Sequence, residues 1–177
     1  MRSSCALVAV ALVAASLSAQ QATGPVIQKG GAHAPVPSVT FSVPADLEYK
    51  VVWDIKTGAP KPGELNDAFN VPARFVNQGA ALGFARAKVQ AAVVLHGGAG
   101  EELLVNEEYK ARKGVDNPNI ALLEEMSRAG VRIILCGQTM DTRKMPRDKV
   151  LPFVTVAPSA AWAHAVLLRQ GYTANPF

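Results

Sequence analysis

Three residues able to do acid, base or nucleophilic chemistry stand in or directly after short apolar runs. Cys136 follows Val131-Arg132-Ile133-Ile134-Leu135 and precedes Gly137-Gln138-Thr139. His96 follows Val89-Gln90-Ala91-Ala92-Val93-Val94-Leu95 and precedes Gly97-Gly98, while Asp54 lies in Tyr49-Lys50-Val51-Val52-Trp53-Asp54-Ile55. Runs this short and this rich in β-branched side chains predict strands buried in a parallel sheet. The crevice beyond the carboxyl ends of such strands is where reacting groups and ligands gather. If the three strands are neighbours, a thiol, an imidazole and a carboxylate meet at one edge. The thiolate is the nucleophilic form of cysteine, and an imidazolium or a helix N-terminus beside it lowers its pKa. Cys136 is therefore the candidate nucleophile and His96 its candidate activator, with Asp54, Gly97, Gly98, Gly137 and Gln138 as candidate binding residues around them. The competing expectation is that Cys136 is a small inert core residue, as free cysteines often are, and that His96 only satisfies loop carbonyls.

Other chemistries fit the sequence poorly. The Gly97-Gly98-Ala99-Gly100 loop matches neither the dinucleotide nor the P-loop pattern, and Glu101-Glu102 would repel an anion from the following helix end. A tight turn is the better account. Three scattered histidines and a single cysteine in the mature chain offer no metal-ligand spacing, so no metal is expected, and no other cofactor. His164 is expected to be a packed or surface histidine. No serine sits in a Gly-x-Ser-x-Gly elbow, which disfavours a hydrolase. The densest basic stretch, Arg143-Lys144-Met145-Pro146-Arg147-Asp148-Lys149, lacks interleaved aromatics and reads as a solvated loop, so no nucleic-acid partner is expected.

The elements that must position these residues divide the 177-residue chain into three. Residues 1–19 carry one early positive charge, an apolar stretch from Cys5 to Leu17 and small residues before Gln20, the pattern of a secretory signal peptide. Its removal would leave an exported protein, periplasmic or secreted, with no membrane insertion and with Cys136 as its only thiol. In an oxidising compartment such a thiol is buried, paired between chains, or reactive. Residues 20–46 hold Pro25, Pro35, Pro37 and Pro44 among several glycines and predict an extended arm, laid on the domain or on a neighbouring subunit. Residues 47–177 form the domain.

Within that domain strands are predicted at 47–55, 88–95, 131–135 and 151–156, and helices over 64–79, 101–111, from Asn117-Pro118 to Gly130, and from Ser159 to Gln170. Pro72 is expected to kink or divide the first helix. Gly130 and Gly171 mark helix ends, and Ser159 a cap. Alternating strands and helices imply a three-layer α/β/α fold around a mainly parallel sheet of four to five strands.

Taken together, Tyr49-Lys50-Val51-Val52-Trp53-Asp54-Ile55, Val94-Leu95-His96-Gly97-Gly98-Ala99, Asn117-Pro118-Asn119, Ala129-Gly130-Val131, Cys136-Gly137-Gln138-Thr139 and the ending Gln170-Gly171-Tyr172 with Asn175-Pro176-Phe177 resemble the DsrE/DsrF-like family, in its exported branch. The resemblance implies an α/β/α fold, assembly into trimers or hexamers, and a cysteine, here Cys136, that carries a persulfide. It carries the strand-end histidine over to His96. Two readings follow. In one, the protein is a sulfurtransferase or persulfide carrier with a sulfur donor or acceptor protein as partner. In the other, it is a non-catalytic oligomeric module that binds a small ligand or a protein, with Cys136 structural.

Overall fold

A computed structural model describes residues 24–175 of the chain. The predicted signal segment lies outside the described residues. The strands are β1 (Tyr49–Ile55), β2 (Val89–Leu95), β3 (Arg132–Cys136), β4 (Thr155–Ala157) and β5 (Thr173–Ala174). They form one sheet in the order β4-β3-β2-β1-β5, and every pairing is parallel. The helices are α1 (Asn70–Ala81), α2 (Asn106–Lys113), α3 (Ile120–Arg128), α4 (Gly137–Thr142) and α5 (Ala160–Arg169).

The strand order decides which face each helix covers. From β1 to β4 the chain steps in one direction, so right-handed crossovers stack their helices on one face. There α1 and α3 bury Val76, Leu122, Leu123 and Met126 against Trp53, Val93 and Ile133. The step from β4 to β5 reverses direction and crosses the whole sheet, which places α5 on the opposite face. That face has a smaller core, in which Ala163 and Leu167 of α5 meet Val52, Val94 and Ile134. The result is three layers, unequal in thickness.

Several local expectations are corrected. Pro72 makes no break, because it sits in the first turn of α1, where an amide would have no helical acceptor anyway. The helix expected at 101–111 is a 3₁₀ segment over Gly97–Leu103 followed by α2. The strand expected at 151–156 begins only at Thr155, since Leu151 spends its amide on the Leu103 carbonyl at 2.9 Å instead of on a ladder. Gly130 and Gly171 do end helices with φ of 79° and 86°, a conformation that favours glycine. Ser159 caps α5 by accepting from the Trp162 amide at 3.3 Å.

The described arm, from Gly24 onward, is tied down at its start. Asn77, fully buried in α1, accepts from the Ile27 amide at 2.9 Å and donates to the Ile27 carbonyl at 2.9 Å. Glu125 accepts from the amides of Gln28 and Lys29. Further along, Val36, Val39 and Phe41 are exposed, Phe41 by 83%. Among the described residues no helix is long and apolar enough to cross a membrane.

Candidate functional site

The register puts β1, β2 and β3 side by side, and the alternation of side chains puts Asp54, His96 and Cys136 on one face of the sheet. Val52 and Val94 face α5; Asp54 and His96 lie two residues further along the same strands, with His96 still extended. On β3, Ile134 faces α5 and Cys136 follows two residues later. The expected neighbourhood of the three strands is therefore present, at the carboxyl edge and beneath α5.

Cys136 ends β3 and begins α4, and it is 5% exposed. Burial pushes its thiol up, but the amide and hydroxyl of Thr139 and the amides of Ala160 and Gln138 outweigh it and hold the pKa below the ordinary thiol value. No capping hydrogen bond closes on the sulfur within α4, so these N–H groups act as aimed dipoles. They come from two helices, α4 and α5. The Thr139 hydroxyl accepts from the Gly97 amide at 3.0 Å, which leaves its own proton for the sulfur. Gly97 has φ 54°, and a Cβ there would lie 2.9 Å from the Lys56 carbonyl oxygen, so only glycine fits comfortably.

His96 turns toward Asp54. Its Nε2 lies 2.8 Å from Asp54 Oδ2, and the other oxygen, Oδ1, lies 2.9 Å from Nε2 of His164 in α5. Burial raises the Asp54 carboxyl, and the two imidazoles lower it further, to a value below the ordinary carboxylate range. Among the described residues no group of three or more His, Cys, Asp or Glu side chains is arranged to hold a metal ion. The groups that depress the Cys136 thiol are thus amides and a hydroxyl, while His96 belongs to an Asp54-centred cluster at the same edge.

The remaining candidates separate. Gly137 lies against the junction of β4 and α5, where a Cβ would come within 2.7 Å of the Ala157 carbonyl oxygen. Gln138 contributes its amide to the thiol, and its side chain reaches the Pro158 carbonyl at 3.5 Å. Gly98 instead lines a polar cavity of about 280 Å³ on the other side of the loop, with Gly58, Glu102, Tyr109, Lys113 and Arg143. Thr139, Ala160 and His164 were not expected at the site. Thr139 had a sequence signal, because the third residue after a helix cap presents its amide to the cap. Ala160 had none, since it acts through its backbone.

A five-stranded all-parallel sheet between helices, with a buried thiol at a strand end under two helix N-termini, defines a small α/β/α protein. The sequence pattern of the DsrE/DsrF-like family matches residues 67–174, and the chain belongs to that family, which is associated with sulfur relay. Among solved structures, a protein of unknown function from Methanobacterium thermoautotrophicum, MTH1491, is similar with a TM-score of 0.53 at 20% identity. The likeness covers 72% of this chain and 98% of that one, and it shows the shared fold. No curated protein matches the chain.

Proposed function

We propose that this protein handles sulfur after export, with Cys136 accepting sulfane sulfur as a persulfide and passing it to an acceptor. The observation that carries the reading is the lowered thiol: a buried cysteine without such company would be pushed up and inert, whereas here amides from two helices favour the thiolate. In the reaction the Cys136 thiolate attacks the outer sulfur of a donor R–S–SH. The new S–S bond forms with the thiolate's electron pair and the donor's S–S bond breaks. R–S⁻ leaves with that pair, and no net oxidation occurs. The second half repeats the exchange on an acceptor thiol.

Export rests on the leader-like segment 1–19. Assembly into trimers or hexamers is part of the proposal and is supported by exposed apolar side chains, Phe41 on the arm and Trp162 on α5, of the kind that marks contact surfaces. The exposure of Cys136, only 5%, favours a second reading, a binding module with a structural cysteine. Intact mass after incubation with inorganic polysulfide separates the two. Gain of one sulfur, reversed by reductant and absent in Cys136→Ser, is the expected result. No gain, with alkylation of Cys136 only in denaturant, would leave the structural reading in place.

A further inference from the structure

Helix α5 is lightly seated. Of its residues only Ala163 and Leu167 are buried, and a solvent-open groove of about 250 Å³ runs along its flank beside β3 and β4, walled by Ile134, Val156, Pro158, Trp162 and Val166. The sheet holds the helix through one short apolar stripe, Ala163 and Leu167 against Val52, Val94 and Ile134, and not along a broad face. The polar attachments of α5 lie at its two ends: Arg132 of β3 donates to the Gln170 side chain at 2.6 Å beyond the last turn, and the other is at its first two turns. His164 in α5 meets Asp54 at 2.9 Å, and Asp54 meets His96 at 2.8 Å, so one carboxylate ties the helix to the ends of β1 and β2. Ala160, whose amide is aimed at Cys136, lies one turn before His164 and on the same side of the helix.

We infer that Asp54 and His164 are positioning residues whose contact clamps the first turn of α5 onto the sheet edge, keeping the Ala160 amide on Cys136 and governing a donor's access to the thiol. The inference rests on the reading of Cys136 as the sulfur-accepting thiol. At 5% exposure that thiol cannot meet a donor until something above it moves. The junction Ala157-Pro158 lies against Gly137 at its back, and the open groove beside α5 leaves that flank of the helix unpacked. Release of His164 from Asp54 lifts the first turn, which opens the sulfur and withdraws one of the dipoles that favour the thiolate. Access and thiolate stability are therefore coupled in opposite senses. His96 stays on Asp54 and is not part of the hinge.

The test is the pH profile of iodoacetamide alkylation of Cys136 in the native full-length mature protein, for wild type, H164A, H164Q, D54A and H96A. The high-pH limit reports access and the midpoint reports thiolate stabilisation. H164A and D54A are each expected to raise the limit by about tenfold, the scale of one lost charge-assisted hydrogen bond, and to move the midpoint upward. H164Q keeps a donor and is expected to restore wild-type values. H96A is expected to stay within about twofold of the wild-type limit, a margin far below one lost charge-assisted bond. A limit and midpoint unchanged in both H164A and D54A, an H164Q that behaves as H164A, or an H96A that matches H164A would each overturn the clamp. Polysulfide loading, read by mass on the same samples, is independent: no sulfur gain with faster alkylation in H164A removes the sulfur reading alone, and sulfur gain with unchanged alkylation removes the clamp alone.

Discussion

The amide of Gly97 donates to the hydroxyl of Thr139 at 3.0 Å, joining the loop after β2 to the helix that begins at Cys136. Through this bond the glycine loop acts on the thiol without touching it. Thr139→Val keeps the shape and removes the hydroxyl. The half-buried Gly97 amide then lacks its acceptor, at a cost of about 1 kcal/mol, and the thiol pKa rises. Urea melts and alkylation at neutral pH are expected to show lower stability and slower labelling, with Thr139→Ser restoring both. Wild-type labelling in the valine variant would remove the hydroxyl from the site.

Gly137→Ala places a methyl 2.7 Å from the Ala157 carbonyl oxygen, a backbone atom that can yield only by displacing the β4–α5 junction. Overpacking of this kind costs about 1–3 kcal/mol. The variant is expected to melt lower and, because the junction covers Cys136, to be alkylated faster at high pH. Unchanged melting would mean that the junction accommodates the methyl freely.

Asn77→Ala removes the side chain that holds the start of the arm by its backbone at Ile27, Gly30 and Gly31. The expected loss is about 2 kcal/mol, from buried backbone groups left unpaired. Limited proteolysis is expected to cut within residues 24–32 in the variant and to spare them in the wild type. An arm as resistant as before would show that Ile27's burial and the Glu125 contacts to Gln28 and Lys29 suffice to hold it.

Glu102 is buried; its carboxylate accepts from the Ala59 amide at 2.9 Å and from the side chain of Asn119. Burial raises its pKa, with the Ala59 amide opposing. The folded chain therefore binds this proton more tightly than the unfolded chain, so the stabilising contribution is complete below the unfolded value of about 4.3 and is lost as pH rises through the folded value. Denaturant melts of wild type and Glu102→Gln between acid and neutral pH should show wild type losing ground relative to the variant as pH rises. A gap that is flat with pH would show that the carboxyl titrates alike in both states.

What was legible in the sequence was whatever leaves a local imprint. Val89–Leu95 and the run before Cys136 announced central strands because all their side chains but Gln90 and Arg132 are apolar. Gly130 and Ser159 announced a helix end and a helix start through backbone conformation and a capping hydroxyl. β5 left no such imprint, since Thr173 and Ala174 are exposed and join the sheet only through backbone pairing with Val51 and Val52. At the site, the side-by-side placement of Asp54, His96 and Cys136 was readable as three strand ends. The arrival of His164 on the same carboxylate was not, because His164 is 110 residues away from Asp54 and is brought there only by the crossing of α5.

That crossing orders events along the chain. β1, β2 and β3, and the helices packed behind them, are all complete by the time α4 has been made. The cover over Cys136 comes from residues made later, Ala157 to His164, and the sheet's last edge later still. Until those residues are seated, nothing in β1 to β3 or in the helices behind them shields the thiol from the α5 side. Any sulfur species, oxidant or stray thiol that meets the chain before that closure meets an uncovered nucleophile, so the segment from Ala157 onward serves as the closure of a site that the residues before it build.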